Sequence, residues 1–273
     1  MPAATMLLIS TFIVSAFAPK LAMAARPTVY SDGLKAYQNG DLREAQASLL
    51  QVDSEKTPHA AYLLGIINEQ RGQYKEAIRW YDQYAVHGSP SSALYQAARA
   101  HKAFSLVMDG QFQRAQARIA EAPAESKDVN TCLVFALAEL SLGIKDHDKT
   151  SAEKAAKRYR LILDSLDPES ADAMNGYGRA QLLLGDLDKS NAKAHLTLAR
   201  DHFIAATKKN PLPVYFNNLG VSYFWLEDRE RAKASFQEAI RRADTNSIEH
   251  RDSVKKAKDN LELLGRAAGR SGG

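Results

Sequence analysis

The stretch FNNLGVSYFWLEDRERAKASFQEAI, from Phe216 to Ile240, decides the fold. Its apolar residues recur at helical spacing on two segments, and a polar turn separates the segments. Two small residues, Gly220 in the first segment and Ala232 in the second, lie within these two amphipathic patterns. Because glycine costs a helix about 1 kcal/mol relative to alanine, Gly220 indicates a place where two helices approach closely. The stretch therefore predicts a helical hairpin.

The same pattern recurs along the chain. A glycine, or Glu227 in the last copy, ends each first segment, at successive spacings of 32, 38, 33, 42 and 42 residues. A helix pair alone cannot bury its apolar face, so stacked copies predict a solenoid. The small residue early in each second segment is Ala45, Ala77, Ala115, Ala156, Ala199 or Ala232.

These residues resemble the tetratricopeptide-repeat (TPR) family, whose consensus combines Leu-Gly and Tyr on the first helix with Ala, an aromatic residue and Ala on the second. The resemblance implies an all-α fold, a right-handed α-solenoid of about six helix-turn-helix repeats with a C-terminal capping helix, over residues 25–265. The stretch quoted first matches with Phe216, Leu219, Gly220, Tyr223, Ala232, Phe236 and Ala239. The expected repeats cover approximately 26–59, 58–91, 92–127, 128–170, 171–212 and 213–246, followed by the cap at 248–264 and a disordered tail at 266–273.

Residues 1–24 are expected to be a signal peptide. Leu7 to Ala18 form a mostly apolar run of 12 residues, which is too short to span a bilayer comfortably. Ala22 and Ala24 then supply small residues at the two positions that a signal peptidase reads. The basic residue usual before such a run is missing. We expect cleavage after Ala24, an exported and most readily periplasmic protein, and no transmembrane segment in the mature chain.

Charge and motif spacing argue against several classes of function. The net charge is only +4, from 36 basic and 32 acidic side chains, and no dense basic stripe favours nucleic acid as a partner. Units four and five carry extended turns at 143–153 and 185–195, but their acidic stretches lack the glycine at the sixth position and the glutamate at the twelfth that an EF-hand calcium loop requires. No histidine pair has zinc-site spacing. We therefore predict no catalytic residues, no metal site and no cofactor.

The pattern leaves a candidate binding surface on the first helix of each repeat. In the TPR family these helices line a concave groove, and three positions of each first helix face it. By this resemblance, Leu133, Leu137, Leu140 and Leu182 also occupy such positions. The candidate residues for binding a partner are Tyr30, Leu34, Tyr37, Tyr62, Ile66, Glu69, Asn175, Arg179, Asn217, Val221 and Phe224.

The resemblance implies a non-catalytic adaptor that binds a protein or peptide segment in this groove, in the assembly of an envelope, pilus or secretion complex. YFNNLGVSYF followed by AKDNLELL is similar to the tight-adherence (Flp-type) pilus assembly TPR proteins, although this chain lacks their lipid-anchor cysteine. Two alternatives stay open: a self-assembling structural protein, which would be a homo-oligomer, and an enzyme on a helical-repeat frame.

Overall fold

The computed structural model describes residues 28–122, 127–244 and 248–269. All the regular secondary structure in these ranges is helical, which confirms the predicted all-α fold. The described ranges contain thirteen α-helices: α1 (Thr28–Gln38), α2 (Leu42–Leu49), α3 (Pro58–Gln70), α4 (Tyr74–His87), α5 (Ala93–Met108), α6 (Phe112–Ala120), α7 (Val129–Asp146), α8 (Lys149–Leu161), α9 (Ala171–Leu187), α10 (Ala192–Lys209), α11 (Pro213–Trp225), α12 (Arg229–Arg241) and α13 (Ile248–Gly269), with a π-helical turn at Ile162–Leu166 after α8.

Helices that follow one another along the chain pack together as the pairs α1/α2, α3/α4, α5/α6, α9/α10 and α11/α12, and α13 packs against α11 and α12. The described helices fall into two compact units, one ending at Ser141 and the other beginning at Leu142. In the first unit the core includes Tyr30, Leu49, Leu63 and Tyr81. In the second, the core around α10 to α13 includes Phe203, Phe236 and Ala257.

The seam predicted between Gly220 and the second helix of its pair is confirmed. A Cβ atom on Gly220 would lie 2.5 Å from Cε1 of the fully buried Phe236. The same contact recurs in other repeats, because a Cβ on Gly65 would lie 2.4 Å from Tyr81. The poor helix propensity of glycine is thus offset, since an aromatic ring can lie against the neighbouring backbone.

The glycines that were expected to end the first helices do so in only three repeats. Gly40, Gly72 and Gly110 adopt positive φ angles of 80°, 71° and 80° directly after helices, and Glu227 adopts 64° in the last repeat. Gly143 and Gly185 instead lie inside α7 and α9. Because Gly185 has no Cβ atom, the side chain of Leu196 can lie close to the backbone of Gly185. Glycine is therefore needed at this position for packing and not for a turn.

The predicted extended turns at 143–153 and 185–195 are wrong for the same reason. Both segments are mostly helical, since α7 and α9 continue past their glycines and α8 starts at Lys149. The cap also differs from the prediction. Helix α13 continues to Gly269, so residues 266–269 are helical rather than disordered, because alanine and arginine favour a helix there.

Two further predictions concern residues that the structure does not describe. The signal peptide at 1–24 and the end of the tail at 270–273 both lie outside the described ranges. Within those ranges, no helix combines the length and the apolar character needed to cross a membrane.

Candidate functional site

The structure buries ten of the eleven candidate groove residues, each at most 7% exposed. Phe224 alone is half-buried. The expectation that these side chains form an open surface is therefore wrong, although their role in binding a partner stays a prediction. The aromatic candidates fill space between helices: the ring of Tyr62 lies 5.8 Å from that of Tyr84 and 6.1 Å from that of His101.

In the unit that ends at Ser141, Glu69 is the centre of a buried hydrogen-bond network. Its Oε1 lies 3.0 Å from Nδ1 of His101, and its Oε2 accepts from the hydroxyls of Ser105 at 2.9 Å and Tyr81 at 3.2 Å. The network joins α3, α4 and α5. Burial, reinforced by the charge of Glu69, raises the pKa of both Tyr81 and Tyr62 well above the usual value, so both phenols stay protonated.

Every carboxylate oxygen of Glu69 has a partner, which indicates a stabilising network rather than a vacant site. Sequence reasoning selected Glu69 but missed His101 and Ser105. These two residues are four apart on α5 and both buried. Their spacing places them on one helix face, but only the fold shows that this face meets Glu69.

A surface pocket of about 550 Å³ lies between α4, α5 and α6 in the same unit. Its charges are paired with one another. Lys102 binds Asp82, and Glu121 accepts from Arg99 at 3.2 Å and from Arg118 at 2.9 Å. Because these pairs are partly solvent-exposed, each contributes little to stability, and the pocket presents mostly neutralised charge to a ligand.

In the unit that begins at Leu142, buried asparagines connect α9, α11 and α13. Nδ2 of Asn218 on α11 donates to Oδ1 of Asn175 on α9, at 2.9 Å. Nδ2 of Asn260 on α13 donates to Oδ1 of Asn217 on α11, at 3.0 Å. All four side chains are at most 3% exposed. We call these four residues the asparagine row.

The asparagine row is not fully satisfied. Oδ1 of Asn218 and Oδ1 of Asn260 are buried and have no hydrogen-bond partner. A buried polar atom without a partner costs on the order of 1–3 kcal/mol. The row thus holds acceptors that a ligand with N–H groups could satisfy.

Arg179 lies one helical turn after Asn175 on α9 and is 2% exposed. Its Nε and Nη2 atoms are buried without a hydrogen-bond partner. Burial lowers the pKa of this guanidinium, and the nearby Tyr159 acts weakly in the opposite direction. The asparagine row and Arg179 together form the candidate site, with unpaired acceptors and unpaired donors on adjoining helices.

The sequence identified three of these residues, Asn175, Arg179 and Asn217, and missed Asn218 and Asn260. Both hydrogen-bonded pairs are separated by 43 residues, a spacing that could have indicated equivalent positions on successive first helices. Within the described ranges, no group of three or more His, Cys, Asp or Glu residues could hold a metal ion.

Comparisons with known proteins agree with this architecture. A family model described as Tetratricopeptide repeat matches residues 30–93 and 149–191, and a second model with the same description matches residues 214–246. No curated protein matches the sequence.

Several solved structures are similar to this chain. A thermophilic TPR protein of Thermus thermophilus, TTC0263, is 17% identical with a TM-score of 0.58, over 73% of this chain and 97% of that chain. The human IFIT1 dimer with PPP-AAAA is 17% identical with a TM-score of 0.60, over 85% of this chain and 60% of that chain. At this identity the likeness shows the fold alone. Because the family models match just over half of the 273 residues and the helix pairs repeat as described, the chain belongs to the tetratricopeptide-repeat family.

Proposed function

We propose that this protein is a non-catalytic adaptor that binds an extended segment of a partner protein along α9, α11 and α13. The observation that carries the proposal is the asparagine row with its two unpaired Oδ1 atoms. An extended peptide presents backbone N–H and C=O groups at regular intervals. Asparagine side chains can both donate to and accept from such a backbone, so the row matches a peptide rather than an apolar ligand.

Because the row is buried, the segment enters only when α9, α11 and α13 separate locally. The contacts between the asparagines keep the free-energy cost of this exchange small. A hydrogen bond from Asn218 to Asn175 can be replaced by bonds from each side chain to the peptide backbone, and the unpaired acceptors gain partners at the same time. Affinity thus comes from completing the polar network of the row.

The arrangement around His101 supports the non-catalytic part of the proposal. A nucleophilic serine needs a hydrogen bond to its general base. Here the hydroxyl of Ser105 donates to Glu69, and His101 contacts the same carboxylate. Both groups are thus committed to the carboxylate, as expected of a network that stabilises the fold.

We further propose that the adaptor is exported, with cleavage after Ala24, and that it assists assembly of an envelope, pilus or secretion complex. The apolar run from Leu7 to Ala18 and the small residues before Ala25 support export. Expression of the full chain in a bacterial host with two membranes, followed by fractionation and N-terminal sequencing, tests this. We expect a periplasmic protein that begins at Ala25, whereas a cytoplasmic protein that keeps Met1 would refute it.

Affinity selection from a synthetic library of random 12-residue peptides tests segment binding. We expect the purified protein to retain a subset of peptides, and the double variant Asn175→Ala/Asn218→Ala to lose at least tenfold in affinity for them, since each lost hydrogen bond contributes about 1 kcal/mol. Asn191→Ala, in the exposed turn before α10, is the matched control and should bind as the parent does. Circular dichroism verifies that each variant is folded. Retention of no peptide, or equal binding by the double variant, would refute the proposal.

A further inference from the structure

We infer that the dipeptide Asn39–Gly40, in the turn after α1, is a site of spontaneous deamidation, whereas the fold protects the second Asn–Gly dipeptide, Asn175–Gly176. The sequence contains these two Asn–Gly dipeptides. The modification needs water and no enzyme, and it goes beyond the proposed adaptor function, on which it does not depend. It alters the connection between α1 and α2 as the protein ages.

The reaction uses atoms of the dipeptide itself. The backbone nitrogen of Gly40 attacks Cγ of Asn39, so that a bond from this nitrogen to Cγ forms and the bond from Cγ to Nδ2 breaks. The Nδ2 group leaves as ammonia and takes the proton of the Gly40 N–H group with it. A five-membered succinimide ring remains. Water then opens the ring at one of its two carbonyl carbons, which gives either aspartate or isoaspartate, whose main chain runs through Cγ.

The structure makes the reacting atoms of Asn39 and Gly40 accessible. Both residues are exposed to solvent. Because Gly40 has no Cβ atom, no side chain hinders the approach of its nitrogen to Cγ of Asn39. The Gly40 N–H group donates to the carbonyl of Tyr37 at 3.0 Å, and this bond must open before the ring can close. It lies at the end of α1, and helix ends open most readily.

The surroundings of Asn175 prevent the same reaction. Asn175 and Gly176 lie inside α9, where the helical backbone and its hydrogen bonds keep the next nitrogen from reaching Cγ. The side chain of Asn175 is 3% exposed and accepts from Asn218 at 2.9 Å. A Cβ on Gly176 would collide with the ring of Tyr159, so α8 packs against this part of the backbone. Ring closure at Asn175 therefore requires α9 to unfold.

The two products differ in their effect on the α1/α2 pair. Asp109 precedes a glycine with a φ of 80°, as Asn39 does, so this type of turn accommodates an aspartate. Isoaspartate instead adds one atom to the main chain between α1 and Asp41. Asp41 is the N-cap of α2, and its N–H group donates to the carbonyl of Ala36 on α1 at 3.0 Å. The added atom moves this cap away from α1 and weakens the packing of the pair.

Peptide mapping of the purified protein after storage in warm neutral buffer tests the site. Trypsin releases Asn39 within Ala36–Arg43 and Asn175 within Leu161–Arg179, and mass spectrometry detects the replacement of the amide NH2 group by OH. We expect Asn39 to deamidate at least about tenfold faster than Asn175 in the folded protein, because it needs only a local opening. In guanidinium chloride, where α9 is unfolded, the two sites should react at similar rates.

Asn39→Gln is the matched variant, because glutamine would have to close a larger and less favourable ring. It should show no mass gain in the peptide that contains position 39. An Asn39 peptide that keeps its mass in the folded protein while the unfolded chain reacts would overturn the inference. Equal rates at Asn39 and Asn175 in the folded protein would also overturn it, since the fold would then protect neither site selectively.

A second experiment measures the consequence for stability. Ion-exchange chromatography isolates the deamidated fraction of the stored protein, which is compared with Asn39→Asp, a variant of the same charge with a normal main chain. In urea denaturation followed by circular dichroism, we expect Asn39→Asp to keep the midpoint of the parent and the isolated fraction to unfold at a lower urea concentration. Equal midpoints for the isolated fraction and Asn39→Asp would refute the effect of the added main-chain atom.

Discussion

Gly220 lies so close to the ring of Phe236 that its hydrogen atom cannot be replaced by a methyl group without movement, since a Cβ would be 2.5 Å from Cε1. Gly178 has the same relation to Phe203, at 2.7 Å. In both pairs the aromatic ring is fully buried. The ring cannot rotate into solvent, so the helices themselves must separate to admit a larger residue.

We predict that Gly220→Leu lowers the free energy of unfolding by about 1–3 kcal/mol, because it overpacks this seam. Gly265→Ala on α13 is the matched control, since no atom lies within 4 Å of the added Cβ. That control should be neutral or stabilising by up to about 1 kcal/mol from helix propensity. Urea denaturation followed by circular dichroism measures both, and an unchanged midpoint for Gly220→Leu would contradict the seam.

Glu69 offers a second prediction for a single residue. Replacement by alanine leaves the donors of His101, Ser105 and Tyr81 buried without their acceptor. We expect Glu69→Ala to lower the free energy of unfolding by about 3 kcal/mol, compared with about 1 kcal/mol for Ser105→Ala, which removes one donor only. Equal effects of the two substitutions in urea denaturation would show that the network does not depend on the carboxylate.

Three of the second helices begin with an aspartate as N-cap. The side chains of Asp41, Asp148 and Asp228 each accept from backbone N–H groups in the first turn of α2, α8 and α12. Thr150 and Glu153 have the spacing of a capping box. The structure places the cap at Asp148 instead, where the carboxylate accepts from the N–H groups of Thr150 and Ser151 at 3.1 and 2.9 Å.

We predict that Asp148→Ala lowers the free energy of unfolding by about 1 kcal/mol at pH 7, because two N–H groups lose their acceptor. Asp148→Asn retains a capping oxygen and should stay close to the parent. Thermal unfolding of the three proteins measures the difference. Equal losses for alanine and asparagine would show that the charge, rather than the cap, is what matters.

The pH dependence of this cap has a defined direction. Hydrogen bonds from the Ser151 hydroxyl, above all, and from the backbone of Ser151 and Thr150 lower the pKa of Asp148 below its usual value of 3.8. The ionised carboxylate therefore contributes its full stability above that value and loses it as the pH falls through the lowered pKa. The difference between the parent and Asp148→Ala should accordingly shrink in acid. A difference that is constant from about pH 7 to about pH 3 would contradict the assignment.

For the molecule as a whole, the two tryptophans report on different units. Trp80 packs against the core of the unit that ends at Ser141, and Trp225 against the core of the unit that begins at Leu142. The sequence contains two tryptophans. The single substitutions Trp225→Phe and Trp80→Phe thus leave one fluorescent reporter in each unit.

We predict that Gly220→Leu shifts the denaturation midpoint reported by Trp225 more than the midpoint reported by Trp80. In repeat proteins each repeat is stabilised mainly by its neighbours, so a local defect acts mostly on nearby repeats. Fluorescence during urea denaturation of the two single-tryptophan proteins, with and without Gly220→Leu, provides the comparison. Equal shifts of both reporters would show that the array unfolds as one cooperative body.

By itself, the sequence determined the all-α class, the helix pairs and the close approach of Gly220 to the second helix of its pair. The helices follow from the local periodicity of apolar residues. The close approach follows from Gly220, because a glycine that destabilises a helix is explained by close packing. Both signals lie within short stretches of the sequence. Asn175, Arg179 and Asn217 were also found this way, from their position within the repeat.

Only the tertiary structure decided what those residues contact. The lengths of α7 and α9 depend on whether Gly143 and Gly185 meet other helices, because a glycine can end a helix or allow a neighbour to approach it. The burial of the candidate groove and the pairing of Asn175 with Asn218 across 43 residues depend on how successive first helices pack. The Nε and Nη2 atoms of Arg179 are buried without an acceptor. This too depends on the packed helices, because the residues that surround Arg179 come from more than one helix.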